Sequence, residues 1–182
     1  SRIIQRIEKS CDFKSDEIFK IIFASNATQD YELGKISSLD FYDEVKNLLN
    51  FQMSFADFSD AWTCTFDLEP IISQELIKEL AKKYRLLVLS DTNQCHFEFI
   101  KANFPILRHF DDFVLSYQVG VVKPAPEIFY AAIEKANCLP EECFFTDDRE
   151  VNVIGAEKIG IKAVQFITAE KFTEDLQERN LI

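Results

Sequence analysis

The sequence has few cysteines and no long apolar run, and each shortage excludes a class of protein. Its five cysteines include no C-x-x-C pair, which excludes a zinc knuckle, and their odd number argues against a disulfide framework. No apolar stretch approaches the roughly 20 residues of a membrane span, and no signal peptide opens the chain. We therefore expect a cytoplasmic protein with reduced thiols and no membrane partner.

Basic residues are also scarce. The chain has 20 Lys and Arg against 31 Asp and Glu, which gives a formal net charge of −11. Nucleic acids and anionic membranes attract basic surfaces, so this charge disfavours both as partners. Hydrophobic residues make up 47% of the 182 residues. That is enough for one domain with a sizeable core, or for a core with a small accessory domain.

The residue pattern changes near position 80. Before that point, apolar residues recur at helical spacing, and pairs such as Ser37 and Asp40 resemble capping boxes. After it, short apolar runs alternate with helical stretches, which predicts a parallel sheet with right-handed crossovers. The four predicted strands cover residues 85–89, 113–117, 143–146 and 162–166. We therefore predict a helical subdomain over residues 1–80 and an α/β core with a Rossmann-like parallel sheet over residues 81–182.

Burial of the first predicted strand follows from its composition. Residues 85–89 (RLLVL) form a continuous apolar run after the opening arginine. Strands that are covered on both faces have this pattern, whereas strands with one solvated face alternate between apolar and polar residues. We therefore expect this strand to be buried on both faces.

Polar residues follow each of the first three predicted strands. Ser90 and Asp91 come directly after the first strand, Lys123 follows the second, and Asp147 and Asp148 end the third. The carboxyl ends of parallel strands meet at one edge of an open α/β sheet, where such sheets bind ligands. We therefore expect these side chains to converge on one crevice.

The chemistry of these residues is complementary. Hydroxyl groups of Ser90 and Thr92, together with the N-terminus of the next helix, suit phosphate oxygens, and Lys123 adds a cation. The carboxylates of Asp147 and Asp148 suit Mg²⁺. Such a set favours a phosphoryl group, whose transfer depends on electrostatic stabilisation. Taken alone, each feature has a structural alternative: the hydroxyls and the acidic pair can cap helices, and the lysine can lie in a solvated turn.

Three segments of the chain resemble motifs two, three and four of the haloacid dehalogenase-like (HAD) superfamily. They are LLVLSDTN, YQVGVVKPAPEIF and CFFTDDREVNVIGAEKIGIKAVQF. The similarity is greatest to phosphatases with a helical cap after the first strand, which include sugar-phosphate phosphatases and the phosphatase domain of soluble epoxide hydrolase. The resemblance covers essentially the whole chain, with residues 1 to about 80 matching the cap.

This resemblance implies a role for each polar residue. Ser90 matches the phosphate-binding hydroxyl, and Lys123 matches the catalytic lysine that neutralises the nucleophile and the phosphate. Asp147 and Asp148 match the Mg²⁺ ligands. Asp91 belongs to the same phosphate-binding segment, although the family usually has Asn there. A carboxylate at that position would repel phosphate unless it points away or is protonated.

The activity implied by the resemblance is Mg²⁺-dependent hydrolysis of small phosphate monoesters through an aspartyl-phosphate, with a small phosphorylated metabolite as partner. The 2-haloacid dehalogenases of the same superfamily work without a metal. They have Ser and Asn in place of the acidic pair, so Asp147 and Asp148 favour a phosphatase over a dehalogenase.

One family motif is missing from this chain. The nucleophilic aspartate of the family lies in a D-x-D or D-x-G-G motif at the end of the first core strand, and the sequence contains neither. We therefore expect this polypeptide alone to be inactive and the intact parent to be active. One alternative is that the chain binds a complementing strand from elsewhere. The other is a non-catalytic binding protein with the same fold. The substrate and the oligomeric state are open at this point.

Overall fold

The computed structural model describes residues 2–182. Six helices precede the first strand: α1 (Arg2–Glu8), α2 (Ser15–Ala24), α3 (Asn26–Glu32), α4 (Ser38–Leu49), α5 (Phe55–Thr63) and α6 (Gln74–Ala81). Strands and helices then alternate: β1 (Leu87–Ser90), α7 (Gln94–Asn103), β2 (Asp112–Leu115), α8 (Ser116–Val119), α9 (Pro126–Ala136), β3 (Phe144–Asp147), α10 (Glu150–Glu157), β4 (Lys162–Gln165) and α11 (Ala169–Glu178). Two 3₁₀ turns, Pro105–His109 and Pro140–Glu142, precede β2 and β3.

Local capping explains where several of the early helices begin. The Ser37 hydroxyl accepts from the Asp40 N–H, and the Asp40 carboxylate accepts from the Ser37 N–H, so the predicted capping box is confirmed. Ser54 and Ser73 accept in the same way at the starts of α5 and α6. Each such cap satisfies an N–H group that has no partner inside the helix.

The first five helices share one hydrophobic core that is rich in aromatic rings. Phe41 stacks on Tyr31 with the ring centroids 4.6 Å apart, and Trp62 meets Phe41 edge-on at 4.8 Å. These rings lie among buried aliphatic side chains from α1, α2 and α4. Helix α6 packs elsewhere: its Ile77 and Leu80 lie against residues of α11.

The four strands form two parallel pairs. β1 pairs with β2, and β3 pairs with β4, in registers that place Ser90 opposite Leu115 and Asp147 opposite Gln165. Side chains from both pairs pack on the same buried core, which includes Phe129 from α9. The predicted α/β class with parallel strands is confirmed.

The expectation that the first strand is buried on both faces is only partly met. All four residues of β1, and all four of β3, are only half-buried. The reason is the pairing, because within residues 2–182 each of these strands has a strand neighbour on one side only.

The end of the second strand also differs from the prediction. β2 stops at Leu115, two residues earlier than expected, because Ser116 begins the short helix α8. That helix ends at Gly120, whose φ of 84° places it in the left-handed region. None of the helices that the structure describes is both long and apolar enough to cross a membrane.

Candidate active site

Lys123 lies at the centre of the candidate site and joins three segments of the chain. Its ammonium donates to Asp147 Oδ2 at 2.6 Å and to the Leu89 carbonyl at 3.0 Å. Its backbone N–H donates to Asp91 Oδ1 at 2.8 Å. The side chains of Lys123 and Asp147 are only 8% and 7% exposed. The predicted convergence of the residues after β1, β2 and β3 is therefore present for Asp91, Lys123 and Asp147.

Asp147 is held by donors on both carboxylate oxygens. Besides Lys123, the Arg149 N–H and the Asn152 side-chain amide donate to its Oδ1, each at 2.9 Å. Burial alone would raise the pKa of Asp147, but the hydrogen bonds from Lys123 and Arg149 outweigh it and hold the pKa below its usual range. Asp147 is therefore an anion in the folded protein at neutral pH.

Asp91 has the opposite tendency. Burial raises the pKa of Asp91, and the hydrogen bond from the Lys123 N–H and the charge of Lys123 only partly offset this rise. Because its Oδ1 accepts that N–H, the carboxylate is engaged with the loop that carries Lys123. This contact explains how an aspartate is accommodated where the family usually has Asn. Its phosphate-binding role stays a prediction.

The two predicted hydroxyl donors have different environments. Ser90, the last residue of β1, is half-buried, and its hydroxyl has no hydrogen bond to any other residue between 2 and 182. Thr92 is buried, and its hydroxyl lies 3.5 Å from the Asn93 carbonyl. The structure therefore leaves the Ser90 hydroxyl available to a ligand, whereas the Thr92 hydroxyl is buried within the protein.

Ser116 is a site residue that sequence reasoning missed. It is fully buried, and its Oγ accepts from the Thr92 N–H at 2.9 Å. The same hydroxyl lies 2.8 Å from the Thr92 carbonyl and 2.9 Å from the Glu32 carbonyl. It thus joins the segment after β1 to the end of α3. A small polar residue inside a predicted apolar strand was the only available signal.

His96 makes a second connection between the early helices and the segment after β1. Its Nε2 lies 3.0 Å from the Trp62 carbonyl, and its Nδ1 lies 3.2 Å from the side-chain nitrogen of Asn93. Burial lowers the pKa of His96, so the ring is neutral, with the hydrogen on Nε2 and an acceptor at Nδ1.

The acidic pair offers oxygen ligands of the type that Mg²⁺ takes. Asp148 is exposed, and two buried polar atoms near Asp147, Thr146 Oγ1 and Asn152 Oδ1, have no hydrogen-bond partner. No cluster of three or more His, Cys, Asp or Glu side chains suited to a metal occurs in residues 2–182. The donor chemistry therefore fits Mg²⁺, which proteins often hold through one or two carboxylates with water and phosphate completing the shell.

Comparison with known families accounts for this arrangement. The sequence profile of the haloacid dehalogenase-like hydrolases matches residues 65–160, slightly more than half of the chain. The chain belongs to the haloacid dehalogenase-like hydrolases. The family inferred from the three sequence motifs is therefore confirmed.

Relatives of this HAD-like hydrolase include phosphatases. It is 31% identical over 143 residues to the D-ribitol-5-phosphate phosphatase of Bacteroides thetaiotaomicron, covering 75% of this chain and 69% of that protein. It is 35% identical over 76 residues to the glyceraldehyde 3-phosphate phosphatase of Methanopyrus kandleri, covering 41% of this chain and 32% of that protein.

A solved structure is similar along nearly the whole chain. A HAD family enzyme of Bacteroides thetaiotaomicron, crystallised with magnesium and inorganic phosphate, superimposes with a TM-score of 0.84 at 28% identity. The match covers 96% of this HAD-like hydrolase and 89% of that chain. The predicted fold of a HAD core with a helical cap agrees with this similarity.

Proposed function

We propose that this chain is the larger part of a Mg²⁺-dependent phosphatase that hydrolyses small phosphate monoesters, in particular phosphorylated sugars or polyols. The observation that carries the proposal is the position of Lys123, which contacts Asp91, Asp147 and the end of β1 at once. A buried cation held in this way is suited to a phosphoryl group. The phosphatases among the relatives favour the same substrate class.

Each residue of the site has a proposed task. The free hydroxyl of Ser90 donates to a phosphate oxygen, and the ammonium of Lys123 neutralises charge on the phosphate. The exposed carboxylate of Asp148 and the anionic carboxylate of Asp147 hold Mg²⁺ together with substrate phosphate and water. When bound, Mg²⁺ supplies Lewis-acid stabilisation to the phosphoryl oxygens.

The sequence contains neither D-x-D nor D-x-G-G, so the nucleophile of the proposed reaction has to lie outside it. We propose that an additional strand lies between β1 and β3 and ends in the aspartate that the phosphoryl group is transferred to. The half-burial of β1 and β3 supports this position, since each has a partner on one side only among residues 2–182. Lys123 supports it as well, because its ammonium contacts both the Leu89 carbonyl on β1 and Asp147 on β3.

We also propose that the early helices act as the cap. The sequence-based division assigns residues 1–80 to the cap and residues 81–182 to the core. The packing of α6 against α11 favours a boundary nearer residue 65, because α6 then belongs to the core. A cap of this kind closes over the substrate and excludes water while the phosphoryl group is transferred.

Two polypeptides test this proposal. The chain alone, residues 1–182, is expected to release no phosphate from p-nitrophenyl phosphate with or without Mg²⁺. The parent with an apolar strand ending in D-x-D or D-x-G-G restored ahead of residue 1 is expected to release phosphate only with Mg²⁺. Mg²⁺-dependent turnover by the chain alone would show that the nucleophile lies within it.

A matched pair of variants of the restored parent tests the metal ligands. Asp147→Asn is expected to abolish Mg²⁺-dependent activity, because the anionic ligand is lost. Asp43→Asn, at an exposed position on α4, is the control and is expected to leave activity unchanged. Full activity in the Asp147 variant would remove this residue from the metal role.

The second candidate function is a non-catalytic binding protein with the HAD fold. The aspartate at position 91 and the missing nucleophile favour it. The coding sequence upstream of residue 1 discriminates between the two functions, because an in-frame strand with the nucleophile motif supports the enzyme. A start codon without such a strand supports the binding protein. The cytoplasmic location stays a prediction.

A further inference from the structure

Two cysteines outside the candidate site lie side by side. Cys138 and Cys143 occupy the loop between α9 and β3, and their Sγ atoms are 3.3 Å apart. A disulfide has an S–S distance of about 2.05 Å. Bond formation therefore needs the two sulfurs to approach each other by little more than about 1 Å.

The loop geometry keeps this pair together. Asn137 ends α9 in the left-handed conformation, with φ of 55°, which reverses the chain just before Cys138. The 3₁₀ turn Pro140–Glu142 follows, and the Cys143 N–H donates to the Pro140 carbonyl at 3.0 Å. The Glu142 carboxylate accepts from the Leu139 N–H at 2.8 Å. These bonds hold both ends of the turn, so the two thiols do not meet by chance fluctuation of a loose loop.

The pair is also accessible. Both cysteines are half-buried, while Leu139, Glu141 and Glu142 between them are exposed. The remaining cysteines, Cys11, Cys64 and Cys95, pack against the core of the early helices. Within residues 2–182, none of those three has its sulfur in contact with another thiol.

We propose that Cys138 and Cys143 are a modification site that forms a reversible intramolecular disulfide by exchange with a small-molecule disulfide such as oxidised glutathione. One protein thiolate attacks the small disulfide, forms a mixed disulfide and releases one small thiolate. The second protein thiol loses its proton to solvent and displaces the second small thiolate. The protein thus gives up two electrons and two protons, and the small disulfide is reduced to two thiols.

The surroundings of Cys143 affect this exchange. Burial, together with the hydrogen bond to Cys138, raises the pKa of Cys143 to about 12. Cys143 therefore keeps its proton at neutral pH. Because the thiolate is the attacking species, this raised pKa slows attack by Cys143.

The cross-link would tie the end of α9 to the start of β3. Asp147 lies at the opposite, carboxyl end of β3, so the candidate active site is not part of the cross-linked loop. The disulfide restricts the conformations of the unfolded chain, and such a constraint stabilises the folded state relative to it. We therefore expect the oxidised form to melt a few degrees higher than the reduced form.

The experiment equilibrates the protein with mixtures of reduced and oxidised glutathione and follows it by intact mass spectrometry. The expected result is a mass loss of about two hydrogens, as disulfide formation requires, with a single cross-linked peptide that contains both cysteines. Reducing agent is expected to restore the original mass and the lower melting temperature.

Three variants complete the test. Cys138→Ser and Cys143→Ser are each expected to lose the two-hydrogen change. Cys11→Ser is the matched control and is expected to retain the change. A disulfide between other cysteines, mixed disulfides only, or no reaction in the unmodified chain would each overturn the proposal.

Discussion

Lys123 and Asp147 form an ion pair that is almost completely removed from solvent. The Nζ–Oδ2 distance is 2.6 Å, and neither side chain is more than 8% exposed. A buried pair of this kind adds little net stability, since removing both charges from water is costly, but loss of one partner leaves the other charge uncompensated. The pair therefore makes the stability of the core dependent on two residues of the candidate site.

Removal of the lysine charge is expected to destabilise the fold strongly. Lys123→Met should lower the free energy of unfolding by about 3–5 kcal/mol, because Asp147 stays buried without its cation. The double variant Lys123→Met with Asp147→Asn should recover part of this loss. Urea unfolding followed by circular dichroism measures both values.

The control for this prediction is an exposed ion pair. Lys82 and Glu79 lie three residues apart around α6, and both side chains are more than half exposed. Lys82→Met should change the free energy of unfolding by less than about 0.5 kcal/mol. Equal effects of the Lys82 and Lys123 substitutions would contradict the special position of the buried pair.

Two glycines test how closely the early helices approach the core. A Cβ at Gly34 would lie 1.8 Å from the Tyr117 carbonyl oxygen, and the φ of Gly34 is +67°. Gly120 has a φ of +84°, but no atom lies within 4 Å of a Cβ built there. A side chain at either position therefore strains the backbone, and at Gly34 it also overlaps the Tyr117 carbonyl.

Substitution by alanine should separate these two costs. Gly120→Ala is expected to cost about 1 kcal/mol for the left-handed backbone alone. Gly34→Ala is expected to cost about 3 kcal/mol or more, because α8 must move away from the loop after α3. Chemical denaturation of both variants measures the difference. A Gly34 variant as stable as the Gly120 variant would mean that this contact is absent in solution.

The neutral state of His96 predicts a dependence of stability on pH. Burial lowers the pKa of His96 in the folded protein, so the unfolded chain binds a proton first as the pH falls. The contribution of His96 to the free energy of unfolding is therefore fully present above the ordinary histidine pKa of about 6.5. It decreases below that pH, by up to about 1.4 kcal/mol per pH unit. Urea unfolding at several values between pH 7.5 and 5.5 measures this slope.

The chain's two histidines provide the matched comparison. His96→Gln is expected to flatten the slope between pH 7.5 and 5.5, because the titrating ring is gone. His109→Gln, in the 3₁₀ turn before β2, is expected to retain it. A slope that persists in the His96 variant would assign the pH dependence to other groups.

The core of the fold could be predicted because its signals are local. Alternating apolar runs and helical stretches predicted four parallel strands, and the structure places each within two residues of the expected bounds. The Ser37 cap was predictable for the same reason, since both partners lie within four residues. The convergence of the polar residues at the strand ends could be predicted from the parallel topology alone.

The connections within the site depend on pairs that lie far apart in sequence. Ser116 contacts the Glu32 carbonyl across 84 residues, and His96 contacts the Trp62 carbonyl across 34 residues. No periodicity or spacing marks such pairs. The burial of Thr92 could not be predicted either, because the direction of a side chain in a short connecting segment depends on the tertiary contacts around it.

The contact between Trp62 and His96 has a practical consequence. Trp62 is the only tryptophan in the chain, and its ring stacks on that of His96 with the centroids 5.6 Å apart. The indole emission of the protein therefore comes from a single position, where the early helices meet α7. Changes in its intensity or wavelength report separation of these two parts directly, without any attached dye.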